Sequence, residues 1–190
     1  MIRSRIAAAL LTWAILVPAH AAEFNQVQLD KSQIAFVFKQ MGVAVDGRFP
    51  KFNAQIAFDP AKPEAGRTQI EIDLAAIDAG SDEANDEAKT KNWFHIQQFP
   101  KASFVSSSVK ALGGNRYEAA GKLNIKGKAR DVVAPFTFKP EGSGGTFEGS
   151  FVLKRLEFGI GSGPWGDTET VADEVQVKFK FLVAAAAAKK

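Results

Sequence analysis

Apolar and polar positions alternate with a period of two along nearly the whole chain after residue 22. Ile34, Phe36 and Phe38 alternate with Gln33, Ala35, Val37 and Lys39, and Ile70, Ile72 and Leu74 with Gln69, Glu71 and Asp73. Successive side chains of a strand point to opposite faces, so each pattern predicts a half-buried β-strand. The same reading applies to Ala54, Ile56 and Phe58, to the stretch from Phe104 to Val109, and to Tyr117, Ala119, Leu123 and Ile125. It continues with Val132, Ala134, Phe136 and Phe138, then with Phe147, Phe151 and Leu153. Val175, Val177, Phe179 and Phe181 close the series against Gln176, Lys178 and Lys180. The pattern predicts about eight strands.

Turn-forming residues fall between these strands, at Lys62-Pro63-Glu64-Ala65-Gly66, Gly113-Gly114-Asn115 and Gly142-Ser143-Gly144-Gly145. Short connections join antiparallel neighbours, and about eight such strands suffice to close a barrel without exposed edges. Strand–helix–strand alternation, the mark of a parallel sheet, is not seen. One segment departs from the period, Ser81 to Trp93. Ser81 can cap a helix whose first turns carry Asp82, Glu83, Asp86 and Glu87, with Lys89 and Lys91 following, so the charges complement the helix dipole. The expected fold is all-β, an antiparallel eight-stranded barrel with one short helical segment near residues 82–93 that connects strands or covers a barrel end.

The first residues set the expected compartment. Arg3 and Arg5 precede an apolar run from Ile6 to Val17, and Pro18 leads into Ala19-His20-Ala21. This order fits a secretory signal cleaved between Ala21 and Ala22. The run is shorter than the roughly 20 residues that a membrane-spanning helix needs. The expectation is export to the periplasm and one domain over residues 22–183. A disordered Ala/Lys tail is expected over 184–190.

The net charge of +3 over the whole chain includes Arg3 and Arg5, and the sequence shows no basic stripe for nucleic acid. With no cysteine, the exported protein needs a hydrophobic core rather than disulfides for its stability. After the signal one histidine remains, His95, which cannot by itself build a His/Cys zinc site. No Gly-x-Ser-x-Gly motif surrounds a nucleophile. The carboxylates of the 82–87 segment read as a solvated helix face. Asp167, Glu169, Asp173 and Glu174 read as an acidic loop without EF-hand spacing. Gly159-Ile160-Gly161-Ser162-Gly163 lacks the Lys-Ser/Thr ending of a phosphate loop. Phenylalanine, with 16 copies, is the dominant large side chain. Such rings can fill a barrel or line a ligand cavity, and composition does not separate the two.

The order of landmarks along the chain resembles the YceI-like family, periplasmic polyisoprenoid-binding proteins with a lipocalin-like barrel. The landmarks are Gly47-Arg48-Phe49 after the first strand, Trp93-Phe94 after the acidic segment, and Phe99-Pro100-Lys101-Ala102-Ser103-Phe104. Gly121-Lys122-Leu123-Asn124-Ile125-Lys126-Gly127, Arg155-Leu156-Glu157-Phe158-Gly159-Ile160-Gly161 and Val171-Ala172-Asp173-Glu174-Val175 complete them. Two departures concern the head group. Many relatives carry a histidine where this chain has Gln40-Met41, and a His-Leu-Arg-Ser-like stretch where it has Ala88-Lys89-Thr90-Lys91-Asn92.

The resemblance implies a barrel interior that holds an isoprenoid lipid or isoprenoid quinone, with no catalytic cofactor. Alternation then nominates Ile34, Phe36, Phe38, Phe58, Ile72, Phe104, Leu123, Phe136, Phe138, Phe151, Phe179 and Phe181 as tunnel lining. Gln40, Met41, Trp93, Phe94 and Trp165 are expected at the mouth, and Arg48, Lys126 and Arg155 are candidates for a head group. The functional expectation is a non-enzymatic carrier, store or buffer. Two alternatives are an enzyme acting on a lipid head through His95 or the acidic loop, and an accessory protein that docks to a membrane redox or stress-response partner. Transient contact with a membrane or membrane protein, and a homodimer, stay open as partnerships.

Overall fold

Among the described residues ten antiparallel strands form a single sheet that curls into a barrel. The computed structural model describes residues 23–186. The expected signal segment, its cleavage point between Ala21 and Ala22, and the last four residues of the Ala/Lys tail lie outside the described residues. In chain order the strands are β1 (Phe24–Val27), β2 (Gln33–Gln40), β3 (Val43–Arg48), β4 (Phe52–Ala57) and β5 (Arg67–Asp73). The helix α1 (Asp82–Lys89) follows, then β6 (Lys101–Gly113), β7 (Arg116–Ile125), β8 (Lys128–Glu141), β9 (Gly144–Lys154) and β10 (Glu174–Ala185).

The strand order is β3-β2-β10-β9-β8-β7-β6-β5-β4, so the sheet is largely a meander. The return from β4 is bridged by β1, which pairs with β10 and exchanges two hydrogen bonds with the strand end at Phe58. There the Phe24 N–H donates to the Phe58 carbonyl at 2.8 Å, and the Phe58 N–H to the Phe24 carbonyl at 3.1 Å. At the other end a bridge between Arg48 and Asp78 draws β3 onto the segment after β5.

The expected eight strands are β2 and β4–β10; β1 and β3 are additional. β1 is four residues long, too short for a period to register. β3 is mostly exposed, so its Val43 and Val45 do not stand out as a buried face. The Met41-Gly42 turn that creates β3 has both residues at positive φ, 50° and 80°. Lys126-Gly127, between β7 and β8, repeats the device at 51° and 70°. Two left-handed residues define the hairpin turn whose twist suits antiparallel strands. β10 also runs beyond the expected domain edge, pairing Ala185 with Phe24 and Ala184 with Gln26, because β1 supplies its neighbour.

The helix starts where expected: the Ser81 hydroxyl oxygen accepts the Ala84 N–H at 3.2 Å. It ends at Lys89 rather than near Trp93, because Thr90 adopts extended backbone and the chain turns sharply into Trp93-Phe94.

The interior is not uniform. Around Phe58 the rings of Tyr117, Phe138 and Phe147 sit with centroids 5.1–5.2 Å away, and Phe24 packs on Phe138 at 4.8 Å. This aromatic cluster fills the barrel end that carries the β4–β5, β6–β7 and β8–β9 turns. The wall beside it needs a small residue at Gly149. A methyl group there would collide with the Pro135 carbonyl and come within 2.5 Å of the Phe179 ring. Gly149 pairs with Phe136 at the last step of the β8–β9 ladder before Pro135, which has no N–H to donate. Gly149→Ala is therefore expected to destabilise the barrel by about 1–3 kcal/mol, the usual cost of overpacking. Thermal or chemical unfolding monitored by circular dichroism checks this, and an unchanged midpoint would contradict the packing described.

Candidate functional site

Beyond the aromatic cluster the barrel is hollow. A cavity of about 630 Å³ runs from the Phe58 region towards α1, within the size range of small-molecule sites. Its wall follows from strand alternation. Ile34, Phe36 and Phe38 of β2, Ile70 and Ile72 of β5, Phe104 of β6 and Leu123 of β7 all face it. Phe136 of β8, Phe151 of β9, and Val177, Phe179 and Phe181 of β10 complete the circuit. Phe104, Phe136, Phe151 and Phe179 are only half-buried although they point inward. Each leaves part of its ring facing unfilled space.

Eleven of the twelve nominated lining residues border this cavity. Phe138 does not. It is 1% exposed and belongs to the filled end, clamped between Phe24, Phe58 and Phe147. Alternation identifies the inward face of a strand but not how far along the barrel the hollow extends. The same limit applies to Ile56, Ile70, Val175 and Val177, which line the cavity from strands already recognised.

The open end is built from α1 and the loop between β9 and β10. Gln40, Trp93, Phe94 and Trp165 border the cavity there, as expected for the mouth. Met41 does not, because it occupies the tip of the β2–β3 turn and is 77% exposed. The indoles of Trp93 and Trp165 lie 5.6 Å apart, and the Trp165 Nε1–H donates to Glu87 Oε1 at 2.7 Å. That bond ties the β9–β10 loop to α1. Helical spacing separates the acidic pairs: Glu83 and Glu87, with Ala84 and Ala88, border the cavity, whereas Asp82 and Asp86 do not. The sequence expectation of a wholly solvated acidic face is thus corrected for Glu87, which is half-buried, whereas Glu83 touches the cavity rim and stays exposed. Their four-residue spacing beside two alanines is the signal that marks the inward face.

The three nominated head-group cations have other roles. Arg155 is 1% exposed, and its guanidinium donates to five backbone carbonyls. The Nε–H meets Ala172 at 3.1 Å, Nη1 meets Ile160 and Gly161 at 2.9 Å each, and Nη2 meets Trp165 at 2.7 Å and Val171 at 2.6 Å. These bonds match the five donors of the group. Burial pushes the guanidinium pKa down and nearby Asp173 opposes the shift, but arginine remains charged at any working pH. Lys126 holds the carbonyls of Lys91 (2.9 Å) and Gly159 (2.7 Å), pinning the β7–β8 turn to the mouth loops. Burial, with Lys128 adding to it, lowers its pKa. Arg48 lies outside the cavity and pairs with Asp78 at 2.9 Å.

The residues nominated for catalysis do not border the cavity. His95 stands off the cavity with its ring 5.9 Å from Phe99. Asp167 accepts the Glu169 N–H and the Thr170 hydroxyl, which hold its pKa down, and Asp173 accepts the Leu156 N–H. Among the described residues no cluster of three or more His, Cys, Asp or Glu side chains could hold a metal ion.

This fold recurs in known proteins. The YceI-like domain model matches residues 26–183, nearly all of the described chain. The chain belongs to the YceI-like family. It is 31% identical to a UPF0312 protein of Pseudomonas savastanoi pv. phaseolicola, over 88% of this chain and 93% of that one. Among solved structures it is similar to BcnA of Burkholderia cenocepacia, with 46% identity, a TM-score of 0.81, and coverage of 83% of this chain and 99% of that one. At 15% identity it shares its fold with a polyisoprenoid binding domain from Saccharophagus degradans, with a TM-score of 0.66 and coverage of 87% and 99%. The fold that it shares with them is a lipocalin-like barrel.

Removing Arg155 orphans buried carbonyls, each costing about 1–3 kcal/mol. Arg155→Met is therefore expected to destabilise the protein by about 3 kcal/mol or more, and Arg155→Lys to recover only part, since an ammonium has three donors and no planar fork. Denaturant unfolding measures both. Equal stability of Arg155→Lys and the native protein would show that the carbonyl set is not what the loop depends on.

Proposed function

We propose that this protein is a non-enzymatic periplasmic binding protein that holds an isoprenoid lipid or isoprenoid quinone in the barrel. The observation that carries the reading is the hollow itself: about 630 Å³, walled by inward phenylalanine rings that remain part-exposed. A filled barrel would have buried those rings against one another. Membership of the YceI-like family, and the polyisoprenoid binding named for the Saccharophagus degradans domain, support the same ligand class. The signal-like start of the chain supports the periplasm.

The energetics suit a long apolar chain. At about 0.8 kcal/mol per buried CH₂, a dozen buried carbons yield about 10 kcal/mol before costs. Immobilising the chain and ordering the wall take back a large part of that. Binding then needs no covalent or catalytic step. The part taken by the ligand fits storage, buffering or carriage. Met41 and Val43, 77% and 67% exposed on the hairpin beside the mouth, give a carrier an apolar edge for brief contact with a membrane.

Placing a cation in the wall tests this reading. Phe104→Arg, Phe136→Arg and Phe179→Arg are each expected to reduce uptake of a labelled polyprenyl lipid at least about tenfold, because a charge buried without a partner is strongly unfavourable. Val105→Arg, one residue away on the exposed face, is expected to leave uptake intact. Folded wall variants that retain full uptake would refute interior binding.

A further inference from the structure

Among the described residues the β8–β9 ladder stops part-way along both strands. Its last pair is Phe136–Gly149, yet β8 extends back to Lys128 and β9 forward to Lys154. Over residues 128–135 and 150–154 each strand stays paired on its other side, β8 with β7 and β9 with β10, but no bridge joins the two. Pro135 marks where pairing ends, since it has no N–H to donate. Beyond it the Arg155 N–H donates to the Asp173 carbonyl at 2.8 Å, which draws the end of β9 towards β10. The seam left alongside residues 150–154 is about 16 Å long at the rise of an extended strand. At the rim it is closed by Arg130 Nη2 on the Glu157 carbonyl (3.1 Å) and by Lys126 Nζ on the Gly159 carbonyl (2.7 Å).

Side chains, not a ladder, seal the seam. On its inner side Ala134, Phe151 and Leu153 border the cavity, and half-buried Val132 packs on the cluster that holds Leu153 and Phe158. On its outer side Val133 and Val152 are 53% and 57% exposed, next to Pro135. We propose that this seam is the passage by which an isoprenoid tail enters and leaves the barrel, sliding sideways between β8 and β9 while the mouth stays closed. The inference rests on the interior-binding reading above and adds the route to it. The two openings differ in how they are braced. Parting the mouth breaks the Trp165–Glu87 bond and disturbs the Arg155 carbonyl set, and buried polar groups left without partners are unfavourable. Parting the seam unpairs no ladder; it asks only that apolar side chains change rotamer. A second break in the wall, between β2 and β4, is spanned by the Phe49 N–H on the Ile34 carbonyl at 2.9 Å. The groove outside it carries Asp46, Arg48 and Asp78, charges that a passing apolar tail would strip of water.

The chain contains no cysteine, so an introduced pair has no competitor. Three residues beyond Phe136–Gly149 the register sets Val133 against Val152. In Val133→Cys/Val152→Cys, altered at two exposed positions, the thiols are joined by oxidation or, where their spacing forbids a disulfide, by a short bismaleimide. An anthraniloyl-labelled C20 prenol is the probe, and energy transfer from Trp93 and Trp165 follows its uptake and release. Linking is expected to slow both rates at least about tenfold and to leave the affinity within about twofold, because the link bars the path and not the site. Reducing the disulfide is expected to restore the native rates. Lys122→Cys/Asp131→Cys, linked across the paired β7–β8 ladder, is expected to exchange as the native protein does. Native exchange rates in the seam-linked protein would overturn the proposal. So would equal slowing in both linked proteins, which reports a stiffer barrel rather than a barred passage. Absence of prenol uptake by the native protein would instead overturn the interior-binding reading, and the passage with it.

Discussion

The open end of this barrel depends on one buried guanidinium. The loop between β9 and β10 has little regular structure, and its carbonyls would otherwise turn inward without partners. Arg155 gathers five of them, from Ile160 to Ala172, onto a single planar group. Its guanidinium also lies 5.6 Å from the centroid of the Trp93 ring, within cation–π range. From there the order spreads outward: Trp165 is placed to reach Glu87, and α1 is fastened across the mouth. A charge that sequence alone nominates as a ligand contact is instead the reason that a ligand-sized opening keeps its shape.

The phenylalanines divide between two tasks along the barrel axis. At the closed end they touch, with centroid separations down to 4.6 Å between Phe138 and Phe147, and they supply the cohesion of a solid core. Towards α1 the same residue type, set by the same alternation, stands back from the axis and leaves space. Stability and capacity are therefore held by different segments of the same strands. This division explains how a chain without cysteine can tolerate a large internal void.

Much of this was legible in the sequence. Period-two alternation located β2 and β4–β10, and Ser81 marked the start of α1, because both signals are local. β1 was too short and β3 too exposed to show a buried face. Phe138 reads the same as Phe136 in sequence, and only the packing of Phe24 and Phe147 around it separates filler from wall. Arg155 looked like a strand-end cation since its partners are carbonyls up to 17 residues away, and carbonyls carry no sequence signature. Glu83 and Glu87 were hidden by adjacent aspartates, although their four-residue spacing with Ala84 and Ala88 does encode one helix face.

The central claim is that the hollow is a lipid site rather than a packing defect. Native mass spectrometry of the protein purified from its host cells, followed by solvent extraction of what it releases, tests this most directly. The account predicts a one-to-one complex that sheds an isoprenoid lipid or quinone on activation. A protein found only at its bare polypeptide mass, and unchanged after incubation with such lipids, would contradict it.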